Sequence, residues 1–439
     1  MSNYTADKFS DEEFETWRYK MDDRADAVAK VLIDSHHHYH IYRALSKINT
    51  FQDPINVSIF HNPAKPGEPA IVYSEEDIAE HSRLATILND YFNDLSLMPS
   101  PQEQQVIIKG GQIFNDSPSE CIIALAVRSL LKQYAAFKAT NVLIATQLLT
   151  EFPHRRILET MQFVVDVMDV NGFKPTGRAV RSIQKLRLVH ALIRARILAK
   201  QENPDRQDLH ISLTWNNEWG LPINQQDMIF AVHTFSVEVL DGLLAAKEKV
   251  SQKTIEDYYL AWHYIGRALG VQAPINPTTY AQGKALQVRI YSKQFIKGNP
   301  HGEALAKPLL EFMRQALPFQ PNDRDLFAII KMYNDEKDHE PIFKEILGLD
   351  LNNASIFFGL LMRTIDSFWH KLVEFLQRLL PIGKEEFDKM LAMKNHAMMQ
   401  RLIQMKATWT STSFQIAEGF GQEAAKEDDM SINRNKETK

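Results

Sequence analysis

The amino-acid sequence predicts an all-α protein, and three observations support this prediction. Alternating polar and apolar residues, the pattern of a half-buried strand, are nearly absent along the chain. Long segments carry apolar residues at intervals of three and four, as amphipathic helices do, and the segment Arg178 to Lys200 does so without proline or glycine. Prolines and glycines collect instead in the stretches between these segments, where turns are expected.

Composition narrows the class of protein further. The 439 residues are 44% hydrophobic and 24% charged, which is typical of a globular protein with a sizeable core. The 50 basic and 55 acidic residues give a net charge of −5, so there is no reason to expect a nucleic-acid partner. Cys121 is the single cysteine, which excludes an intramolecular disulfide and any multi-cysteine zinc or iron–sulfur site. We expect it to pack as a small hydrophobic residue.

The N-terminal sequence gives an expectation about location. The chain starts with Met-Ser-Asn-Tyr, which is polar and lacks an apolar signal segment. No apolar run is expected to reach the roughly 20 residues that span a bilayer. These two features favour a cytoplasmic protein, whose oligomeric state the sequence leaves open.

Residues 1–116 are expected to form an N-terminal helical extension. Within it, His36, His37, His38 and His40 could bind a metal ion, but their spacing fits no common structural site. We therefore prefer to interpret this cluster as a helix start that faces solvent or a partner.

The predicted core, residues 117–270, begins with a continuous helical pattern from Ser117 to Thr150. Pro153 then opens another helix, because proline is favoured at the first helical position. Arg156 and Thr160 share one face of this helix. A short turn joins it to the next one, so the two helices are expected to be antiparallel neighbours.

The helix from Arg178 to Lys200 carries the main candidate site. Its apolar stripe consists of Ala179, Ile183, Leu186, His190, Ile193 and Ile197. A neutral imidazole on an apolar face suits haem iron as an axial ligand, and arginines such as Arg187 and Arg194 could hold the haem propionates. Two alternatives stay open: His190 as a hydrogen-bonded core residue, and Arg194 as a surface arginine or half of an ion pair.

The helices that follow offer weaker candidates. Asn224 has the pattern of a helix N-cap, and His233 and Thr234 in the helix after it are second candidates for a site. An aromatic-rich helix ends at Gly270. Its aromatic side chains are expected in the core, and a wall for an apolar ligand is the alternative.

Residues 271–418 are expected to form a C-terminal helical region that packs on the core. Ser355 to Leu380 is strongly amphipathic, which indicates either a packed helix or a face in contact with a membrane or another subunit. Residues 419–439 are polar and charged and are expected to be a disordered tail.

Three segments together resemble one protein family. KLRLVHALIRARI, with its Arg–His–Arg pattern, is similar to the family's haem-ligand helix. GLPINQQDMIFAVHTFSVEVLDGL is similar to its P-x-N-Q-x-D-L segment and the helix that follows, and RRILETMQFV to its R-x-x-x-T segment. The family joins the latex clearing proteins (rubber oxygenases) to the MpaB-type oxygenases. The resemblance extends from about Ser117 to Gly270.

The resemblance implies a globin-like arrangement of helices around a buried haem pocket with one haem b. His190 would be the proximal iron ligand. On the catalytic, distal side the family's Arg-x-x-Lys-Thr pattern corresponds to Arg156, Glu159 and Thr160, so that a carboxylate stands where a lysine can cap the iron. The position that corresponds by spacing to the family's distal glutamate base is near Thr140.

The activity that the resemblance implies is oxidative attack by dioxygen on an apolar, olefinic substrate such as a prenyl chain or another lipid-like molecule. Thr160 or Arg156 would hydrogen-bond dioxygen, and peripheral contact with a membrane is possible for such a substrate. The alternatives are a non-catalytic haem or lipid carrier, and a purely structural helical protein in which His190 belongs to the core.

Overall fold

The computed structural model describes residues 9–35, 38–61, 72–146, 153–296, 299–317 and 321–359. Within these ranges the chain folds into helices and contains no strand; one isolated backbone bridge joins Ala136 to Phe295. The prediction of an all-α fold is confirmed. The predicted tail, and the part of Ser355–Leu380 beyond residue 359, lie outside the described residues.

In chain order the α-helices are α1 (Asp11–Thr16), α2 (Asp23–Ile33), α3 (His38–Ser46), α4 (Glu75–Asn93), α5 (Pro101–Gly110), α6 (Gln112–Asp116), α7 (Pro118–Ala124), α8 (Leu131–Ala135), α9 (Phe137–Ala145), α10 (Pro153–Met168), α11 (Ala179–Glu202), α12 (Gln225–Phe235), α13 (Val237–Ala245), α14 (Gln252–Ala268), α15 (Tyr280–Gln294), α16 (Gly302–Ala316), α17 (Asp323–Tyr333) and α18 (Glu336–Asp338). Short 3-10 turns occur at Trp17–Tyr19, Val57–Ile59, Gln207–Leu209, Asn217–Trp219, Ala273–Ile275 and Leu351–Asn353, and π-helical turns at Leu125–Leu130 and His339–Lys344.

Local sequence signals explain where many of these helices begin. Ser74 and Asp77 form a reciprocal capping box at the start of α4, in which each side chain accepts a backbone N–H of the other residue. Asn224 caps α12, since its side chain accepts the N–H of Asp227 at 3.1 Å. The N-cap predicted at Asn224 is therefore confirmed. Pro153 is the first residue of α10, as expected from its preference for that position.

The helix α11 is surrounded by protein on nearly every side. Its arginines and Lys185 are buried along with most of its apolar residues, and each makes polar contacts to other segments. Lys185, for example, is 1% exposed, and its Nζ donates to Asn49 Oδ1 at 2.8 Å. Burial lowers the pKa of Lys185 to about 7. The helix α11 is thus a buried central helix rather than an amphipathic surface helix.

The predicted continuous helix from Ser117 is wrong in detail. It is interrupted by the π-helical turn Leu125–Leu130 and again at Ala136, whose ψ of 99° is not helical. Arg128 lies in the π-helical turn, 1% exposed, and its Nε donates to Glu238 Oε2 at 2.8 Å. Long-range contacts of this kind break the helix although the local sequence contains no helix-breaking residue. Cys121 packs in the core as predicted, 1% exposed.

The expectation that no apolar run is long enough to span a bilayer is wrong for one segment. Gln225–Ala245 has the length and composition of a membrane-crossing helix, but 78% of its apolar window is buried inside the protein. The core helix of a folded domain has the same composition, so this is weak support for a membrane span. The segment also consists of two helices, α12 and α13, which meet at Ser236.

In the part of the chain that the structure describes, nearly all buried apolar residues belong to one continuous cluster, which extends from Phe14 to Leu351. The helices α10 and α11 pack against each other within it, joined by a tight turn. A Cβ on Gly177 would lie 2.2 Å from the carbonyl oxygen of Asn171, so only glycine fits that turn. The division at residues 117 and 271 into extension, core and C-terminal region stays a prediction.

Candidate functional site

Two neighbouring cavities lie between α8, α9, α10, α11 and α12. The first has a volume of about 180 Å³ and the second about 130 Å³. Their common wall consists of Gln133, Leu143, His190, Ile193, Met228 and Ala231. His190 therefore borders both cavities, in the middle of the candidate site.

The helix α11 reaches the cavities with the face that the sequence analysis singled out. Leu186, His190 and Ile193 of the predicted stripe, together with Val189, form part of the first cavity's wall. Most of the remaining wall is apolar and includes Phe163 of α10 and Phe235 of α12. A single imidazole thus stands in largely apolar surroundings.

Two of the three predicted catalytic residues lie at the first cavity. Glu159 and Thr160 both line it, and Glu159 is 5% exposed. Arg156 belongs to the same helix, α10, but its side chain lies outside the described part of the structure. The fold therefore brings Glu159, Thr160 and His190 to one cavity, although α10 and α11 are separated by a turn.

The two arginines predicted to hold haem propionates lie elsewhere. Arg187 forms an ion pair with Asp22, with Nη2 2.7 Å from Oδ1. Arg194 donates from Nε to Asp26 Oδ1 at 2.8 Å and from Nη1 to the carbonyl oxygen of Ile223 at 2.6 Å. Neither arginine lines either of these two cavities, and both instead pair with carboxylates near the start of the chain. The ion pair that was the alternative for Arg194 is the arrangement in the structure.

The second cavity is more polar than the first. Thr140, the position suggested for a distal base, lines it, but its hydroxyl donates to the carbonyl oxygen of Phe137 at 2.9 Å. Asp227 also lines it and pairs with Arg18, with Oδ1 3.2 Å from Nη1. Burial raises the pKa of the Asp227 carboxyl group. Asp227 is a wall residue that the sequence pattern does not indicate, although its capping partner Asn224 marks the start of that helix.

The second candidates His233 and Thr234 belong to the core. His233 is fully buried, and its ring nitrogens lie 3.2 Å from Gln287 Oε1 and from Tyr259 Oη. Burial lowers its pKa to about 4, so it is neutral at physiological pH. Thr234 donates to the carbonyl oxygen of Phe230 at 3.1 Å.

The N-terminal histidine cluster does not form a solvated helix start at His40. That residue is 7% exposed, and its Nδ1 lies 3.2 Å from Nε2 of the fully buried His81 of α4. At His40 the expectation of a solvent-facing helix start is wrong, because His81 of α4 lies against this side chain. His36 and His37 lie outside the described residues, and the part of the chain that is described contains no group of three potential metal ligands.

Comparisons with known proteins agree with this architecture. A family model described as "ER-bound oxygenase mpaB/B'/Rubber oxygenase, catalytic domain" matches residues 120–340, half of the chain. The rubber oxygenase of Streptomyces sp. (strain K30) is 22% identical over 264 residues, which cover 59% of this chain. The match spans about three fifths of that relative, 61% of its length.

A solved structure of latex clearing protein in the closed state has a similar fold. It superposes with a TM-score of 0.58 at 18% sequence identity, over 88% of this chain and 91% of that one. At this identity the likeness concerns the fold alone. The family model carries the assignment, and with it the resemblance noted in the sequence is confirmed: the chain belongs to the MpaB and rubber oxygenase family.

Proposed function

We propose that this protein is a haem b-dependent oxygenase that uses dioxygen to attack a carbon–carbon double bond of an apolar, prenyl or lipid-like substrate. The observation that carries the proposal is the position of His190, on the common wall of two cavities whose remaining lining is mostly apolar. Membership of an oxygenase family supports the reaction class.

The residues at the cavities fit a haem group. A five-coordinate haem needs one neutral nitrogen ligand and apolar walls, and His190 with the leucine, valine and phenylalanine side chains around it supplies both. Among the described residues that line the cavities, His190 is the only histidine and there is no lysine or arginine. Haem held by His190 would supply the activation of dioxygen.

The protein's own residues would orient the reactants and exclude water. Thr160 carries a hydroxyl group at the first cavity, which can donate a hydrogen bond to dioxygen. Glu159 carries a carboxyl group at the same cavity and can hold or release a proton there. The apolar side chains around them keep water out and bind the hydrocarbon part of the substrate.

Arg187 and Arg194 contribute indirectly in this proposal. Each lies within one helical turn of His190, and their ion pairs with Asp22 and Asp26 fasten α11 to the N-terminal part of the chain. They therefore act as positioning residues for His190 and leave the propionates to other groups.

Absorption spectroscopy of the purified full chain tests the proposal. Protein produced with ample haem should show a Soret band that is lost in His190→Ala and recovered when imidazole is added to His190→Gly. His263→Ala is a matched control, because His263 is also half-buried but lies outside both cavities. Colourless wild-type protein would overturn the haem assignment.

Oxygen uptake separates an enzyme from a carrier. Haem-loaded protein should consume dioxygen when an unsaturated lipid is added, and Thr160→Val should slow the uptake while the Soret band is retained. Haem binding without uptake on any unsaturated lipid would identify a haem or lipid carrier instead. Glu159→Lys should change the resting spectrum, since a lysine amine at the first cavity can bind iron.

A further inference from the structure

One polar side chain between the two cavities has no partner. Gln133 lines both cavities, and its side-chain amide neither donates nor accepts a hydrogen bond within the described residues. The other polar residues of the walls differ in this respect. Thr140 and Thr146 donate to backbone carbonyl oxygens, and Asp227 is paired with Arg18.

The remaining polar wall residues are also engaged by other groups of the protein. These are Tyr134, Glu159, Thr160 and His190. Gln133 therefore stands out among these wall residues as the one whose side-chain amide remains available to bind a group in the cavities. A primary amide offers two N–H donors and one carbonyl acceptor.

The position of Gln133 follows from the break between α8 and α9. Gln133 lies near the end of α8, and its carbonyl oxygen accepts the N–H of Ala136 at 3.1 Å as the helix stops. Ala136 then adopts an extended conformation and bridges to Phe295. The backbone around Gln133 thus ends a helix at the common wall, and no helix end or side chain in the described ranges forms a hydrogen bond with its amide.

We propose that Gln133 recognises an oxygen atom of the substrate, so that the substrate is an unsaturated lipid bearing a hydroxyl or carbonyl group rather than a plain hydrocarbon. This inference rests on the proposed function of the same site. A hydrocarbon that fills the cavities leaves the amide without a partner, which is costly in apolar surroundings. Sites built to bond a polar group reject analogues that lack it for this reason.

The shape of the site agrees with such a ligand. Apolar side chains dominate the first cavity, whereas Thr140, Thr146 and Asp227 add polar groups to the second. Gln133 stands where the two meet. A chain in the first cavity would direct its oxygen-bearing end toward the amide and the polar second cavity.

The test compares two ligands of equal chain length, oleyl alcohol and the corresponding alkene. Their affinities are measured on the full chain by displacement of a fluorescent fatty-acid probe, which requires no haem, and by the change of the Soret band in haem-loaded protein. Wild-type protein should bind the alcohol about ten-fold more tightly, equivalent to about 1.4 kcal/mol. Gln133→Met, which keeps the length of the side chain but cannot form these hydrogen bonds, should remove the preference.

Gln112→Met is the control, since Gln112 is exposed and lies outside both cavities, and it should keep the wild-type preference. Gln133→Leu provides a second variant with an apolar side chain at this position. Thermal melting curves of all three variants verify that they are folded. Equal affinity of wild-type protein for both ligands would overturn the inference. It would also be overturned if Gln133→Met lost haem while keeping its ligand preference, because the amide would then serve the haem. A preference seen in the probe assay of colourless protein would support the inference although the proposed function had failed.

Discussion

Replacing Asp166 with alanine is expected to loosen the packing of α10 on α11, and with it the cavities between them. The carboxylate of Asp166 is 2% exposed and joins the two helices. It accepts hydrogen bonds from Ser182 Oγ at 2.5 Å, Gln162 Nε2 at 2.6 Å and Arg178 Nε at 3.1 Å. Ser182 and Arg178 lie at the start of α11, whereas Gln162 lies one turn earlier in α10.

The expected loss can be worked out from these three contacts. A hydrogen bond to a charged group contributes about 1.5–3 kcal/mol, and Ser182, which is fully buried, cannot exchange its bond for one to water. Arg178 is 32% exposed, so solvent screens its attraction to the carboxylate and its share is small. We therefore expect Asp166→Ala to lower the free energy of unfolding by about 3 kcal/mol, at the lower end for a broken buried pair.

Urea denaturation of the wild type and two variants measures this loss. Asp169→Ala is the matched control, because Asp169 is an exposed carboxylate in the same turn that accepts only the N–H of Asn171, at 2.9 Å. It should change stability by less than about 0.5 kcal/mol. A loss below about 1 kcal/mol in Asp166→Ala would refute the reasoning, because ordinary surface substitutions reach that range.

Three further predictions concern other parts of the fold. The pKa of Lys185 is lowered to about 7, below the roughly 10.4 of an unfolded chain, so the unfolded state binds more protons between these values and stability rises with pH. Lys185→Met should abolish that rise in denaturation curves recorded across this pH window. Gly177→Ala should lower the melting temperature, since its Cβ would lie 2.2 Å from the Asn171 carbonyl oxygen. Arg128→Met should lower the free energy of unfolding by about 3 kcal/mol, since it removes the guanidinium group that pairs with the buried carboxylates of Glu238 and Asp241 and leaves Lys132 as the remaining cation beside Glu238; the double variant with Glu238→Gln should recover part of this loss.

Helix starts and the stripe on α11 could be predicted because they depend on neighbours in the sequence. Pro153 and Asn224 act within one turn of themselves, and their signals are readable from a few residues. The stripe that contains His190 follows from helical periodicity alone. These local features were enough to place Leu186, His190 and Ile193 on one face, which is the face that borders the cavities.

The breaks within helices could not be predicted, because their causes are distant in sequence. Ala136 and Ser236 are not helix-breaking residues, yet helices stop at both. Ala136 is paired with Phe295, which is more than 150 positions away. The break at Ala136 lies three residues after Gln133, so the local sequence pattern does not indicate that this amide stands at the common wall of the cavities.

The ion pairs of Arg187 and Arg194 on α11 also could not be predicted from the local sequence, and they affect the position of His190. Their partners Asp22 and Asp26 precede them by 165 and 168 positions, a separation at which charge patterns carry no information about pairing. Arg187 and Arg194 lie three residues before and four residues after His190, so at about 100° per residue both stand within about 60° of it around the helix. Fastening two such points fixes the rotation of α11 about its axis. The rotation of α11 decides whether the imidazole of His190 borders the cavities or the core. The two ion pairs would therefore position His190, although neither arginine lines these two cavities.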